Sequence, residues 1–446
     1  MEPTNRPAAQ AEPITPLTAS IPASSGEAMD LGRPPKEKLP KEKLPKDLRV
    51  LFRFAPFISA VPFLAFSATN YFAAVQAQEI DNAGKVSALA LISGVSAFAA
   101  MLAMPLAGVL TDRTRSRFGS RRPWILIGAL IGSVAMITAG LSTSIATLTL
   151  AVVFVQFGFN AFGAPFSALL PDRVPTRFRG RYSTLVGLGT LVAGVLGAII
   201  GSFFVTMIPI GYASIAGVLL LLTVWFVVAL KDKDNRGEPR QPFNVLAFLK
   251  AFWVNPIKFP DFFWGFLGRF LLFGGFSLLN TYGLYILQDY IHVPVAESLK
   301  LAPLLGLATL PTILISTSIA GPLSDRIGKR KPLVLAGGLI IAMGALVPIV
   351  APSVLGIIIS GMVVGLGFGT FISVDQALMS SVLPDAQRFG TDLGVLNIAS
   401  TLPSVVGPAF AGFIVLTFGG YLALYIAVVV VALVGALAVL PIKSVR

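Results

Sequence analysis

Two residues carry charge inside apolar stretches, where an unpaired charge is costly. Arg269 stands in FLGRFLLFGGF and Asp375 in FISVDQAL. The two stretches are expected to run in opposite directions across a membrane. At 1.5 Å per residue, each charge then lies roughly 10 Å from the same face. The guanidinium is the natural partner of the carboxylate. A carboxylate that alternates between an ion pair and a proton can couple solute movement to proton movement; a permanent structural pair is the alternative. Further acidic candidates for coupling are Glu79 and Asp289, at the outer ends of their spans.

A second set of residues offers recognition rather than coupling. Asn70, Tyr71, Asn160, Asn280, Tyr282, Tyr285 and Gln288 fall on apolar stretches and supply amides and planar rings. Such groups suit the hydroxyls and ring faces of a sugar, although each taken singly serves equally well in a bond between helices. Trp124, Trp253 and Trp264 lie near helix ends and Trp225 lies on the sixth stretch, so a tryptophan platform for a sugar is not expected. Other chemistries are poorly supplied. There are 0 cysteines and 1 histidine, His292. The few membrane carboxylates form no cluster with metal-ligand spacing, and no nucleophile–base pair stands out. No enzyme, metal or cofactor is expected.

These residues need a scaffold, and composition names its solvent. The 446 residues are 55% hydrophobic and only 12% charged, with mean hydropathy +0.82. A soluble domain has about a quarter of its residues charged, so lipid must cover this surface. Twelve apolar stretches long enough to cross a bilayer are expected near 51–77, 86–110, 123–141, 146–170, 183–207, 211–230, 262–288, 298–320, 332–350, 354–379, 392–416 and 420–441. The fold class is therefore an all-α membrane protein of twelve transmembrane helices in two pseudo-symmetric six-helix bundles.

Charge placement orients it. Arg113, Arg115, Arg117, Arg121 and Arg122 follow the second stretch; Arg173, Arg177, Arg179 and Arg181 follow the fourth. Arg326, Lys329, Arg330 and Lys331 follow the eighth, with Arg388 after the tenth, while the opposite loops hold only Lys85 and Lys300. By the positive-inside rule both termini are cytoplasmic, in the plasma membrane. The net charge of +13 is thus a topology signal that meets lipid headgroups, and no nucleic acid is expected as a partner. The expected partners are a small-molecule substrate, a proton and membrane lipid, with a monomer as the working unit. Residues 1–48, with the repeat KEKLP-KEKLP-KDL, are expected to be a disordered cytoplasmic tail. Two bundles, 49–230 and 262–446, flank a cytoplasmic linker, 231–261. Within that linker Phe243–Trp253 is expected to form a helix on the membrane surface or packed on the bundle.

An internal repeat ties the halves together. Gly108-Val-Leu-Thr-Asp112-Arg113 recurs 213 residues later as Gly321-Pro-Leu-Ser-Asp325-Arg326, and Pro171-Asp172 as Pro384-Asp385. Asn70 and Gln78-Glu79 recur as Asn280 and Gln288-Asp289, 210 residues on. Parallel halves of this kind place substrate between them near the midplane.

The stretch G-x-L-[ST]-D-R followed by basic residues resembles the major facilitator superfamily. Its longer form, Asp112-Arg-Thr-Arg-Ser-Arg-Phe-Gly-Ser-Arg-Arg-Pro123, resembles the sucrose transporters and the glycoside–pentoside–hexuronide cation symporters. So does Asn160-x4-Pro165-x2-Ala168-Leu-Leu-x-Asp172. The resemblance implies alternating access by a secondary active transporter, a proton-coupled symporter of a sugar or glycoside. It implies a gating role for Asp112, Arg113, Asp325 and Arg326, and a cavity lined by the first, fourth, seventh and tenth helices. The chain departs from the family at its coupling acids. The second stretch has no carboxylate, and Gln156 stands where the sucrose carriers have aspartate. The fifth stretch lacks the Gly-Pro pair of drug–proton antiporters; its Gly187, Gly189, Gly194, Gly197 and Gly201 look like a close-packing face. An efflux or facilitative carrier of amphipathic or lipid-like molecules is the alternative. A receptor that kept a transporter fold is a more distant one.

Overall fold

In hydrocarbon every backbone N–H and C=O must be satisfied within its own segment, so apolar runs of this length become helices. The computed structural model describes residues 46–230, 234–237, 259–381 and 389–443. Its long helices are α1 (Lys46–Ile80), α2 (Lys85–Arg113), α3 (Arg122–Gly140), α4 (Ile145–Arg173), α5 (Thr176–Ser202) and α6 (Ile208–Ala229), followed by α7 (Pro260–Thr281), α8 (Val295–Ile327), α9 (Lys331–Val350), α10 (Val354–Ser381), α11 (Phe389–Thr417) and α12 (Tyr421–Leu437). Among the described residues 11 helices reach membrane length, and α12 is a shorter apolar helix of 17 residues. The expected all-α, two-bundle architecture is therefore present.

Three differences in detail have local causes. Helix α1 begins at Lys46, so the last residues of the expected tail already belong to it. The seventh span is not one continuous helix. It stops at Thr281, turns through Gly283–Tyr285 and ends in a π-turn at Ile286–Tyr290, after which His292 takes φ 60°. In α5 the glycine face is narrower than expected. A Cβ on Gly189 would lie 2.4 Å from Pro56 O and one on Gly197 would lie 2.2 Å from Leu64 O, whereas Gly187 and Gly194 have nothing within 4 Å. The rest of the tail, the linker segment Phe243–Trp253, and Pro384, Asp385 and Arg388 lie outside the described residues.

The two halves are built alike. In the first, α1 packs on α5 and α6, α4 on α2 and α3, and α3 on α6; in the second, α7 packs on α11 and α12, α10 on α8 and α9, and α9 on α12. The halves meet through α2–α11 and α5–α8. Close helix approach is made by matching glycines. A Cβ on Gly128 would lie 2.4 Å from Phe162 N, and one on Gly158 2.4 Å from Gly132 N. At the equivalent positions, a Cβ on Gly337 would lie 2.9 Å from Gly367 O and one on Gly367 would lie 2.6 Å from Gly337 O. Small residues let the backbones of α3 and α4, and of α9 and α10, come together. The outward faces carry exposed Leu130, Leu150, Phe154, Leu221, Trp225 and Leu355, a surface that only lipid covers without penalty.

Candidate functional site

On α7 the residues Arg269, Phe273, Phe276 and Asn280 follow at helical spacing and share one face. The face is turned to α10. Arg269 Nη1 donates to Asp375 Oδ2 at 2.6 Å and to Gln376 Oε1 at 3.4 Å. Both charged side chains are almost fully buried, with 8% and 5% exposure. The guanidinium lies 5.5 Å from the Phe273 ring centre. Next along the face, Phe276 stacks on Phe368 at 4.0 Å, and Phe273 meets Phe371 edge-on at 5.6 Å. The ion pair is thus walled by rings, while Gln376 beside it and Asn280 at the end of the stripe are exposed.

The same stripe on α1, 210 residues earlier, reads Ser59, Phe63, Phe66 and Asn70. Both rings and the amide are duplicated, and only the charge is missing. Ser59, at the place of Arg269, donates to Pro56 O at 3.1 Å. By the offset of 209 that matches Gly158 on α4 with Gly367 on α10, Phe166 stands at the place of Asp375. The charged pair therefore belongs to the second half, set on a ring-and-amide face that both halves possess.

Of the amides in the recognition set, Asn70 and Asn280 are exposed and Asn160 is half-buried. Helix α1 packs on α2, α4, α5 and α6 of its own half, so its remaining face, with exposed Phe63 and Asn70, looks toward the other half. Asn280 Nδ2 and Asn160 Nδ2 donate to their own helices, at Phe276 O and Gln156 O, both at 2.8 Å.

The remaining four members of the set make hydrogen bonds to other elements. Tyr71 donates to Leu299 O at 2.5 Å and Tyr285 to Ala74 O at 2.7 Å, each across the two halves. Tyr282 donates to Pro408 O at 2.9 Å and Val86 O at 3.4 Å. Gln288 Nε2 donates to Ser298 Oγ at 3.0 Å, and its Oε1 accepts from Lys85 Nζ at 3.3 Å. Lys85 Nζ also pairs with Asp289 Oδ1 at 2.7 Å and lies 5.0 Å from the Tyr285 ring. These residues form a clasp at the end opposite the basic loops. Sequence reasoning assigned Lys85 only to topology and Asp289 to coupling. The short offset from Gln78-Glu79 was the signal that this end is duplicated, but it did not reveal a bond between halves.

At the basic end, Arg121 rather than Arg113 holds Asp112. Arg121 Nη1 lies 2.6 Å from Asp112 Oδ1 and its Nε 2.9 Å from Asp172 Oδ2, tying α2 to α4. Asn235, from the linker, donates to Thr114 O at 3.0 Å and accepts from Ser116 N at 2.9 Å. Gly119 turns this loop with φ 80° and Gly328 turns the matching loop with φ 64°, a conformation that glycine adopts freely. The loops Gly119-Ser-Arg121-Arg-Pro123 and Gly328-Lys-Arg330-Lys-Pro332 therefore correspond, and Arg330 Nη1 donates to Ala377 O of α10 at 2.6 Å. Arg113, Asp325 and Arg326 are exposed. Arg121, Asp172 and Arg330 were missed as a set because the first loop is four residues longer, which breaks the 213-residue offset.

Twelve helices in two like halves, clasped at one end around exposed amides and a buried ion pair, define a solute carrier. The chain matches the Major Facilitator Superfamily over residues 57–320 and 304–445 and belongs to it. It is a multi-pass membrane transporter, not an enzyme. It is 23% identical over 354 residues, 75% of this chain and 78% of the other, to the uncharacterized MFS-type transporter YwfA of Bacillus subtilis (strain 168). Its fold is similar to that of a bacterial homologue of the human lysosomal transporter Spinster, solved inward-facing and unoccupied, with TM-score 0.67, 16% identity and coverage of 90% and 96% of the two chains. It is also similar to that of a D-xylose–proton symporter, with TM-score 0.65, 15% identity and coverage of 89% and 98%.

Proposed function

We propose that the protein is a proton-coupled symporter of a sugar or glycoside, of the glycoside–pentoside–hexuronide and sucrose-carrier kind. The observation that carries this reading is the buried Arg269–Asp375 pair between α7 and α10, beside exposed Gln376, on the helix α7 that also carries exposed Asn280. Protonation of Asp375 breaks the pair and frees Arg269, so proton binding changes the contacts between α7 and α10 directly. The fold shared with a D-xylose–proton symporter accommodates that chemistry. In this reading the basic loops face the cytoplasm of a plasma-membrane protein, and the clasp closes the outer end. The Asp112–Arg121–Asp172 cluster keeps the inner end of the first half rigid during rocking, with Arg113, Asp325 and Arg326 available to the other state. The bundles 49–230 and 262–446 move as the two bodies of an alternating-access cycle.

Uptake of radiolabelled sucrose, maltose and melibiose into proteoliposomes, with and without an inward proton gradient, tests the proposal. Gradient-driven accumulation of one sugar supports it. Equilibration that ignores the gradient would make the protein a facilitator and sink proton coupling. No uptake by folded protein would remove neutral sugars as substrates.

A further inference from the structure

Lys85 is the first residue of α2, and Gly84 before it makes no side-chain cap. Backbone dipoles disfavour a positive charge at a helix N-terminus, so this ammonium needs acceptors. The acid nearest in sequence, Asp81, is turned to Gly84 N, which donates to its Oδ1 at 2.8 Å. Lys85 crosses to the second half instead. Its Nζ donates to Asp289 Oδ1 at 2.7 Å and Gln288 Oε1 at 3.3 Å, with the Tyr285 ring centre 5.0 Å away.

The second half holds these acceptors in place by itself. Ser298 Oγ gives its proton to Val295 O at 2.8 Å. It therefore accepts from Gln288 Nε2 at 3.0 Å, which turns the Oε1 end of the amide toward Lys85. Gln288 is 9% exposed, so its direction is fixed. Tyr421 of α12 donates to Asp289 Oδ2 at 3.2 Å and leaves Oδ1 for the ammonium. The buried Tyr285 ring packs beside Tyr282, with centres 6.2 Å apart. Only the cation comes from the first half. A surface ion pair between two flexible side chains needs no such supports.

The acceptors also select the cation. A primary ammonium has three donors and no acceptor. A carboxylate oxygen, an amide oxygen and a ring face give it two hydrogen bonds and a cation–π contact. A hard metal ion such as calcium takes about six oxygens or more, whereas two oxygens face the charge here. When the halves part at this end, Lys85 leaves with the first half and the acceptors stay with the second. Asp289, already 37% exposed, then faces water.

We propose that Gln288, Asp289 and Tyr285 form a binding site for a primary ammonium ion, filled by Lys85 when this end is closed and by a free amine from the surrounding water when it is open. The amine competes with Lys85 and holds the end open. The inference goes beyond the sugar–proton reading: it needs the halves to part, and neither the solute nor its coupling enters it.

The test uses the purified full chain in nanodiscs and propylammonium as the probe, because Lys85→Ala deletes the atoms of propylammonium. Ala74→Cys, at a position buried with 6% exposure, reads opening through its rate of modification by a maleimide. With Lys85 present, propylammonium is expected to speed modification, at most to the rate of Lys85→Ala, up to about fivefold. In Lys85→Ala the sign reverses: propylammonium fills the vacated place, slows modification and raises the unfolding temperature. Sodium and tetramethylammonium chloride at equal concentration are expected to do neither. Asp289→Asn is expected to abolish both effects, and Gln288→Leu to weaken binding about tenfold, the scale of a hydrogen bond to a charged group. If sodium chloride acts as propylammonium does, the effect is screening and the site is wrong. If propylammonium binds Lys85→Ala as well with Asp289→Asn as without it, the site lies elsewhere. If it binds Lys85→Ala but leaves the chain with Lys85 unchanged, no free amine reaches the site and the proposal fails. Each of these failures leaves the sugar–proton reading standing, since sugar uptake is measured without amines.

Discussion

A buried arginine and aspartate stabilise each other only while both are present. Removing one leaves a bare charge among aromatic rings, which costs about 3–5 kcal/mol in comparable buried pairs. Arg269→Gln alone is therefore expected to lower the thermal unfolding temperature of the purified protein sharply. Adding Asp375→Asn is expected to recover most of the loss, and a double variant no more stable than the single one would show that the pair is not the source. Transport separates this structural role from coupling. Asp375→Asn fixes the side chain in a neutral state like that of a protonated carboxyl. It is expected to abolish accumulation driven by a proton gradient while solute exchange across the membrane persists. If gradient-driven accumulation is intact in Asp375→Asn, the carboxylate plays no part in coupling.

Helix contacts here are set as much by missing side chains as by present ones. Gly128 and Gly158 bring α3 onto α4, and Gly337 and Gly367 bring α9 onto α10, at distances where a Cβ would strike backbone atoms. Backbone cannot retreat as a flexible side chain does, so helices must part. Gly158→Val and Gly367→Val are each expected to destabilise by about 1–3 kcal/mol or more, seen as reduced yield of monodisperse protein. Gly187→Val on α5, where nothing lies within 4 Å, is the control and is expected to behave as wild type. Equal damage at all three positions would mean that glycine acts there through helix flexibility rather than close approach.

For the whole molecule, the decisive contacts are those at the end away from the basic loops. Tyr71, Tyr282, Tyr285 and Lys85 each bond across the halves, to Leu299, Val86, Ala74 and Asp289. Opening that end requires all of them to let go. Lys85 and Asp289 retain 11% and 37% exposure, so their pair is partly screened and contributes on the order of 1 kcal/mol or less. A shift of that size changes a two-state population about fivefold at most. Because the chain has 0 cysteines, a single Ala74→Cys reports on this end without background. Lys85→Ala is expected to speed its modification by a membrane-impermeant maleimide up to about fivefold. An unchanged rate would mean that the tyrosine bonds alone hold the clasp. The same reagent applied to intact cells reads the orientation, since the clasp is expected to be the outer end.

Much of this architecture is legible in the chain because lipid imposes simple rules. Apolar length set the helices, arginine placement set the expected orientation, and duplicated motifs exposed the two halves. A charge in an apolar span has so few tolerable partners that Arg269 and Asp375 could be matched from their depth together with the cavity-lining helices that the family resemblance implies. The roles of the aromatic and amide residues were not legible. Tyr71, Tyr282, Tyr285 and Gln288 read as recognition groups by type, and their bonds to Leu299, Val86, Ala74 and Lys85 across the halves were not foreseen. Which polar group faces solute and which faces the other half depends on how the two bundles tilt together. That tilt is set by contacts hundreds of residues apart, such as Tyr71 with Leu299 and Tyr285 with Ala74, and local periodicity does not encode it. The helices and their pairing by charge were therefore decided locally by the cost of polarity in lipid, whereas which polar groups bond across the halves was decided only when the halves met.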